Sequence, residues 1–335
     1  MKKTVVARAH GKLIVSGEYS VLFKMPAIAF AIAECTETTA SIIDEDAIVI
    51  ELKDYNFVMQ FSANSVNWHH LRTKERYDNF LSGLLPIEQV LTNPMDLCCF
   101  IIGQLVSEQA GIKVSIKSTI PTASGFGSSA ALIVSLIKSL DSLLEVNLTK
   151  DNFYKLALEA ENLVHGNSSG IDLLTSIIGG CNYFFNGNYR INCPEFNFFS
   201  IYTGRPDISS GESIVKVKNL LNAVDRQYAF KEVTLSLKEA FEKQDLLNAM
   251  NQIRNNHLLL KELGVVPKKV QDFIQEIESC SGAAKICGSG AVAGENAGAV
   301  IALGNFDDIN AIALRFNYSI KRVQQSNMGA YVLSN

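Results

Sequence analysis

Apolar and polar residues alternate over residues 112–117, with Ile112, Val114 and Ile116 on one face and lysine or serine on the other. A period of two is typical of a half-buried β-strand, and a strand with one solvent-exposed face favours an antiparallel sheet. Residues 48–61 predict a hairpin that turns near residues 54–56. Shorter apolar runs predict further strands at 4–8, 12–16, 28–34 and 38–43.

Other segments repeat their apolar residues with the period of a helix. A helix is predicted over 96–110, with Asp96 as its N-cap, and another over 151–165, directly after Thr149. A helix of about fifteen residues is expected after the glycine-rich stretch near residue 125. Later amphipathic segments predict helices at 211–224, 230–243, 245–263, 267–279 and 306–315.

Strands and helices do not alternate regularly along the chain, which predicts an α+β fold rather than a doubly wound sheet. The pattern of predicted elements changes after Gly179 and Gly180, where a predicted hairpin around Asn186 and Gly187 is followed by the apolar run FNFFSIYT. We therefore predict a domain boundary near residue 190, which gives domains of 1–190 and 191–335.

Composition narrows the class of protein. The chain has 335 residues, of which 47% are hydrophobic and 19% charged, and a net charge of −4. This balance argues against broad nucleic-acid binding and against a basic membrane-binding surface. The apolar run at 26–33 is too short to span a bilayer, and the start lacks a signal-peptide core. Seven cysteines without a C-x-x-C pair predict free thiols in a reducing cytoplasm.

The stretch SGFGSSAA at 124–131 leads from a predicted strand into a predicted helix. A helix start leaves backbone N–H groups without partners and carries partial positive charge. Glycines let an anion approach those groups closely. Ser128 and Ser129 add hydroxyls that can bind a phosphate oxygen or a magnesium ion. The stretch therefore predicts a phosphate cradle.

Two other interpretations of this stretch stay open on these residues alone. It lacks the G-K-[ST] of a Walker loop, but Gly125, Gly127 and Ala130 fit a loose G-x-G-x-x-A. That pattern would indicate a nicotinamide-dependent oxidoreductase, although the preceding strand is not continuously apolar as a parallel strand should be. An ordinary tight strand–helix turn is the other alternative.

Two further glycine-containing stretches lie far away in sequence. AHGKLIVSGEYSVL (9–22) places Lys12 in a strand and Glu18 after a glycine, and KICGSGAVAGENAGAVIALG (285–304) forms a second glycine-rich loop. Three such stretches suggest a cleft assembled from distant parts of the chain.

Together these stretches resemble the three motifs of the GHMP kinase superfamily, which includes galactokinases, homoserine kinases, mevalonate kinases and phosphomevalonate kinases. Within it the sequence is most similar to the mevalonate kinases, because HGNSSGID (165–172) resembles their H-G-x-P-S-G-I-D segment. NNHLLLKELGVV (255–266) resembles the helix and turn before their third motif. The resemblance covers the chain from Ala7 to about Ala302.

The resemblance implies a fold and an activity. The N-terminal domain would be of the ribosomal-protein-S5 type and the C-terminal domain ferredoxin-like, with the ligands between them. The activity would be transfer of the γ-phosphoryl group of Mg-ATP to the hydroxyl of mevalonate, a step of isoprenoid precursor synthesis. ATP and Mg²⁺ are the implied cofactors, and a homodimer is compatible with the sequence.

The resemblance also implies roles for individual residues. Asp172 matches the carboxylate facing the acceptor hydroxyl and Lys12 the lysine beside it, while Ser129 and Glu161 match the magnesium ligands. The nucleotide would be held by Pro121, Ser124, Gly125, Gly127, Ser128, Ser129 and Ala130. The acceptor would be held by Glu18, Tyr19, His165, Ser169 and Gly170.

Phosphoryl transfer fits these residue types, because it needs positioning and charge neutralisation more than covalent help. A lysine beside Asp172 keeps the carboxylate ionised, and the carboxylate either removes the hydroxyl proton or orients the hydroxyl.

Three departures from the mevalonate kinase pattern leave the acceptor open. Ser168 stands where proline is usual, Tyr19 stands where histidine is usual, and AVAGENAG interrupts the third glycine run. Phosphomevalonate or another small alcohol is therefore an alternative acceptor, and a catalytically inactive binding protein is a further alternative.

Overall fold

The computed structural model describes residues 3–106, 111–121, 125–207, 213, 217, 220 and 224–333. The strands, in chain order, are β1 (Thr4–Ser16), β2 (Ala27–Ile42), β3 (Ile48–Leu52), β4 (Phe57–Phe61), β5 (Ile112–Ser118), β6 (Cys181–Phe184), β7 (Asn188–Ile191), β8 (Phe199–Tyr202), β9 (Ala283–Cys287), β10 (Ala299–Leu303), β11 (Ser319–Arg322) and β12 (Tyr331–Val332). The helices are α1 (Ala63–Leu81), α2 (Asp96–Leu105), α3 (Ser128–Leu144), α4 (Lys150–His165), α5 (Ile171–Ile178), α6 (Val224–Glu242), α7 (Leu246–Glu262), α8 (Lys268–Ser279) and α9 (Phe306–Arg315).

These strands form two sheets. The larger sheet has the order β12-β1-β2-β5-β3-β4, with the β6–β7 hairpin attached to β2. The smaller sheet has the order β11-β8-β10-β9, and its neighbours are antiparallel. Strands and helices are segregated rather than alternating, so the predicted α+β fold is confirmed. The strand β12 returns to pair with β1 at the opposite end of the chain, and the boundary near residue 190 stays a prediction.

The predicted alternation over 112–117 is confirmed except at Ser115, which is buried although it was placed on the polar face. Lys113 and Lys117 on β5 are exposed, while Ile112, Val114 and Ile116 are buried. β5 pairs antiparallel with β2, as expected for a sheet with one wet face, but parallel with β3 on its other side. The parallel pair arises because the crossover from β3 to β5 passes through β4 and two helices.

The strands predicted at 4–8 and 12–16 are one strand, β1, and those at 28–34 and 38–43 are also one strand, β2. The pairing of β1 with β2 shifts register between His10 and Lys12. A shift of this kind is a β-bulge, which bends a strand without ending it. Gly11 at the bulge interrupts the apolar pattern and explains the false division of β1.

The helix predictions hold in kind, with one correction at a terminus. Thr149 caps α4 as expected, since its side chain accepts a hydrogen bond from the N–H of Asn152. The prediction of Asp96 as N-cap is wrong, because Met95 occupies that position. Asp96 is the first helical residue, and its carboxylate accepts from two backbone N–H groups of the preceding turn. Most of the helix predicted at 211–224, and the end of the one predicted at 96–110, lie outside the described residues.

The buried hydrophobic residues form two main cores, and strands β9 and β10 of the smaller sheet contribute to both of them. The larger core lies between the eight-stranded sheet and the helices packed on it, chiefly α3, whose residues Ile133, Leu136 and Ile137 are fully buried. The smaller core lies between β8–β10 and helices α8 and α9, with Phe273 and Ile274 at its centre. Within the described ranges, no helix combines the length and apolarity needed to cross a membrane.

Candidate active site

The bulge in β1 places Lys12 beside the glycine-rich loop. The backbone N–H of Lys12 donates to the carbonyl of Phe126 at 2.8 Å. A Cβ on Gly11 would lie 2.8 Å from that same carbonyl oxygen, so the loop approaches the strand where a side chain is missing. The Lys12 side chain is nearly buried, with 3% exposure.

The glycine-rich loop requires glycine at two positions. Gly125 and Gly127 have φ values of +85° and +76°, a region that L side chains rarely adopt. A Cβ at Gly125 would lie 2.7 Å from the carbonyl oxygen of Cys287, and one at Gly127 would lie 2.8 Å from Cγ of Lys12. Helix α3 begins immediately afterwards at Ser128, so its free N–H groups open beside the loop.

An ion pair joins the first motif to the segment before α5. Lys12 Nζ lies 2.8 Å from Oδ2 of Asp172, whose side chain is 25% exposed. Gly170 caps α5 in the left-handed conformation, and Asp172 lies in the first turn of that helix. The two groups predicted as catalytic are therefore in direct contact.

Ser129, Glu161 and His165 form a second cluster, in which α3 supplies the serine and α4 the other two residues. Ser129 Oγ lies 3.3 Å from Glu161 Oε1 and 3.3 Å from His165 Nε2. His165 Nε2 is also 3.3 Å from Glu161 Oε1. Burial by itself would lower the pKa of His165, but the hydrogen bond to Glu161 and the charges of Glu161 and Asp172 outweigh burial and raise that pKa.

The Glu161 carboxylate is suited to a metal ion. The residue is fully buried, and its second oxygen, Oε2, has no hydrogen-bond partner among the described residues. A buried carboxylate oxygen without a partner is costly unless a ligand satisfies it. Hard oxygen donors from a serine and a glutamate are the kind that Mg²⁺ prefers. The residues present therefore fit Mg²⁺, and His165 lies on this side of the site.

The third motif closes the site from the smaller sheet. Lys285 on β9 forms an ion pair with Glu18, and the Tyr19 hydroxyl donates to the carbonyl of Ser289. A Cβ on Gly288 would lie 3.5 Å from Cα of Gly125, so the two glycine loops are in contact. All three motifs thus meet at one place.

The segment before Asp172 is held by serine where the family pattern has proline. The N–H of Ser168 donates to Oδ1 of Asn162 at 2.8 Å, and its Oγ accepts from the N–H of Gly170 at 3.1 Å. A hydroxyl bond to the backbone two residues on is a common turn-forming device. Ser168 therefore fixes the turn by hydrogen bonds instead of a rigid ring.

These groups surround one cleft of about 1290 Å³ between the two sheets. The predicted residues that line it are Lys12, Glu18, Tyr19, Gly125, Gly127, Ser128, Ser129, Glu161, His165, Ser169 and Asp172. Residues that are far apart in the sequence thus line a single cleft.

Three predicted residues do not line this cleft. Pro121 lines a separate small pocket, and Ala130 is fully buried in α3. Gly170 is also buried, and a Cβ there would lie 2.0 Å from the Tyr154 hydroxyl, so its evident task is the turn. Ser124 lies outside the described residues. Ligand contacts of all four stay predictions.

The cleft also contains residues that the sequence did not single out. One side is lined by Thr36 of β2, by Ile116 and Ser118 of β5, and by Asp54 from the turn between β3 and β4. Alternation over 112–117 placed Ile116 on a buried face but could not show that this face opens onto a cleft. Lys285 had no signal beyond its place beside the third motif.

Comparison with known proteins agrees with this geometry. A family model of the GHMP kinases N terminal domain matches residues 94–180. The mevalonate kinase of Pyrococcus furiosus is 32% identical over 310 residues, which cover 85% of this chain and 86% of that protein. The mevalonate kinase of Pyrococcus abyssi is 31% identical over 318 residues, covering 87% of each.

Solved structures share the fold. A crystal structure of mevalonate kinase superposes with a TM-score of 0.78 at 22% identity, covering 96% of this chain and 99% of that one. The structure of L. major mevalonate kinase in complex with R-mevalonate gives 0.70 at 20% identity, covering 97% of each chain. Identity above 30% over most of the chain excludes the dinucleotide-binding alternative, and this protein belongs to the mevalonate kinase family of the GHMP kinases.

Proposed function

We propose that this protein transfers the γ-phosphoryl group of ATP to the hydroxyl of mevalonate. The observation that carries the proposal is the Lys12–Asp172 pair, at 2.8 Å, in the same cleft as the glycine-rich loop. Relatives named mevalonate kinase align over most of the chain. One structure of the same fold is a complex with R-mevalonate.

The glycine-rich loop and the start of α3 would receive the triphosphate. Backbone N–H groups at a helix N-terminus favour anions through hydrogen bonding and through the helix dipole. Glycine at positions 125 and 127 lets the loop that leads into α3 pack against the Cys287 carbonyl and the Lys12 side chain. The Ser128 hydroxyl is half-buried and lines the cleft, where it can donate to a phosphate oxygen.

Ser129 and Glu161 would hold Mg²⁺, through Oγ and the unpaired Oε2. When bound, the ion would neutralise phosphate charge and favour departure of ADP. The contact of both residues with His165 keeps their oxygens together in the protein alone.

Asp172 and Lys12 would act at the other end of the transfer. The Asp172 carboxylate accepts a hydrogen bond from the acceptor hydroxyl, orients it and takes its proton as the new bond forms. Lys12 Nζ fixes the position of the Asp172 carboxylate at 2.8 Å and offsets negative charge on the group in transit. Because both side chains are fixed by each other, they need little reorganisation during the reaction.

Tyr19 does not argue for a phosphorylated acceptor. Tyrosine at this position resembles phosphomevalonate kinases, but here the side chain is 1% exposed and its hydroxyl donates to the Ser289 carbonyl. The tyrosine therefore has an internal partner that accounts for it. Cytoplasmic location and a homodimer stay predictions.

A coupled assay of ADP release tests the proposal against four alcohols: mevalonate, phosphomevalonate, homoserine and galactose. We expect turnover with mevalonate. Asp172→Asn should keep Mg-ATP binding but lose about 10² to 10⁴-fold in turnover, the usual range for a positioned general base. Faster turnover with phosphomevalonate would reassign the acceptor, and near-normal turnover of Asp172→Asn would remove that residue from the mechanism.

A further inference from the structure

A buried ion pair crosses from one sheet to the other behind the cleft. Lys285 lies on β9 of the smaller sheet, and Glu18 lies in the turn after β1 of the larger one. Their side chains are 0% and 1% exposed. Lys285 Nζ also lies 3.4 Å from the carbonyl oxygen of Ile14. The lysine thus contacts the first motif at two points.

Stability alone is a poor explanation for this pair. Removing two charges from water costs several kcal/mol for each ion, and well-packed apolar residues often stabilise a protein as much or more. Buried ion pairs are better suited to fixing one geometry than to strengthening a core. The pair is therefore better explained by a group whose position it determines.

That group is the Glu18 carboxylate. Its Oε2 is buried and has no hydrogen-bond partner among the described residues, although Glu18 is one of the residues lining the cleft. Burial raises the pKa of Glu18, while the charges of Lys285 and, more weakly, Lys12 oppose that rise. Glu18 is thus within electrostatic reach of Lys12, which is paired with Asp172.

Other contacts tie the same two segments together without charge. Cys287 Sγ donates to the Ile14 carbonyl at 3.2 Å, and the Tyr19 hydroxyl donates to the Ser289 carbonyl. Mechanical attachment of the third motif therefore does not require a lysine at 285. What Lys285 adds is a positive charge in direct contact with Glu18.

His257 on α7 is a further titratable neighbour of Lys285. The pKa of His257 is lowered to about 4 by burial and by the charges of Lys261 and Lys285. A histidine of this kind is neutral at physiological pH and cannot replace Lys285 as the counterion of Glu18. The carboxylate depends on the lysine.

We propose that Lys285 is a positioning residue for phosphoryl transfer, which acts through Glu18 by holding that carboxylate at the acceptor end of the cleft. The inference rests on the proposed function for its substrate class. It implies that loss of Lys285 weakens use of the acceptor alcohol much more than use of ATP, although Lys285 belongs to the strand that leads into a glycine loop facing the nucleotide.

The test compares Lys285→Met, the double variant Glu18→Gln/Lys285→Met, and the control Ser16→Ala. Ser16 Oγ bonds to Asn256 and Thr234 at 2.7 Å each, so the control removes a buried, uncharged link at the same end of β1. For each variant, KM for the acceptor, KM for ATP, kcat and the urea unfolding midpoint are measured. The acceptor is whichever alcohol the wild type phosphorylates in the four-alcohol assay.

We expect Lys285→Met to raise the acceptor KM by at least about tenfold while the ATP KM stays within about threefold, the pattern of a lost binding interaction on one substrate. The double variant should recover the unfolding midpoint lost in Lys285→Met but not the acceptor KM. Ser16→Ala should lower the midpoint and leave both KM values unchanged.

Two results would overturn the proposal and leave the pair a structural link. One is an equal rise of both KM values in Lys285→Met. The other is a double variant that recovers the acceptor KM together with the unfolding midpoint. If Lys285→Met does not fold, the double variant decides: a raised acceptor KM supports the positioning role, and a wild-type value refutes it. Wild-type turnover with another alcohol but not with mevalonate would refute the proposed function alone.

Discussion

Replacing Gly127 by alanine is the most direct test of how the glycine-rich loop and the lysine are joined. The added Cβ meets two separate obstacles. The residue has φ of +76°, which disfavours any L side chain, and the methyl group would lie 2.8 Å from Cγ and 3.1 Å from Cε of Lys12. The first obstacle affects the backbone alone, whereas the second acts on a group predicted to be catalytic.

The two effects have different sizes. Alanine in the left-handed region costs about 1 kcal/mol, which would lower stability without changing chemistry. Carbon atoms pack best at about 3.5–4 Å, so the Lys12 side chain must give way by several tenths of an ångström or more. A displacement of about 1 Å at a reacting group can cost on the order of 10²-fold in rate, equivalent to about 2.7 kcal/mol of transition-state stabilisation.

Gly83 supplies a matched control, because its φ is +72° and a Cβ there would meet nothing within 4 Å. ADP release and urea unfolding are measured for Gly127→Ala and Gly83→Ala. Both variants should lose about 1 kcal/mol of stability, but only Gly127→Ala should lose about 10²-fold in turnover. Turnover of Gly127→Ala within threefold of wild type, or an equal loss in Gly83→Ala, would refute the proposed coupling of loop and lysine.

Two further predictions concern stability. Ser168→Pro restores the family pattern but removes the N–H that donates to Asn162 and the Oγ that accepts from Gly170. The free energy of unfolding in urea should therefore decrease by about 1–3 kcal/mol. An unchanged or raised urea midpoint would contradict this. The pKa of His257 is about 4 in the folded protein, against an ordinary value of 6.5. As the pH falls, the unfolded chain therefore takes up the proton before the folded protein does. The free energy of unfolding is thus highest above pH 6.5 and decreases towards pH 4. Between pH 7.5 and 5 the wild type should lose about 2 kcal/mol more than His257→Leu in urea unfolding, and parallel pH curves would contradict this.

The fold was predictable wherever a local pattern decides the structure. Helix α3 begins at Ser128, directly after the glycine-rich loop, because capping and apolar periodicity are properties of neighbouring residues. The alternation along β5 likewise marks its buried face. Family motifs then identified Lys12 and Asp172, which are 160 residues apart in the chain and 2.8 Å apart in the cleft.

Contacts set by tertiary packing were not predictable. The Glu18–Lys285 pair joins residues separated by 267 positions, and no periodicity connects them. Met95 rather than Asp96 caps α2, because the Asp96 carboxylate is drawn into the preceding turn by two backbone N–H groups. Neither outcome can be derived from propensity, since each depends on which partners the fold brings close.

One failure of periodicity in the larger sheet lies at the proposed active site. Gly11 divided β1 into two predicted strands, yet the strand continues through a bulge at that residue. A Cβ on Gly11 would lie 2.8 Å from the Phe126 carbonyl oxygen, which accepts from the N–H of Lys12. A residue better suited to a strand would keep the phosphate loop away from β1. The glycine that weakens the strand pattern is therefore the residue that allows the phosphate loop to reach Lys12, and this conflict between local pattern and fold is typical of functional sites.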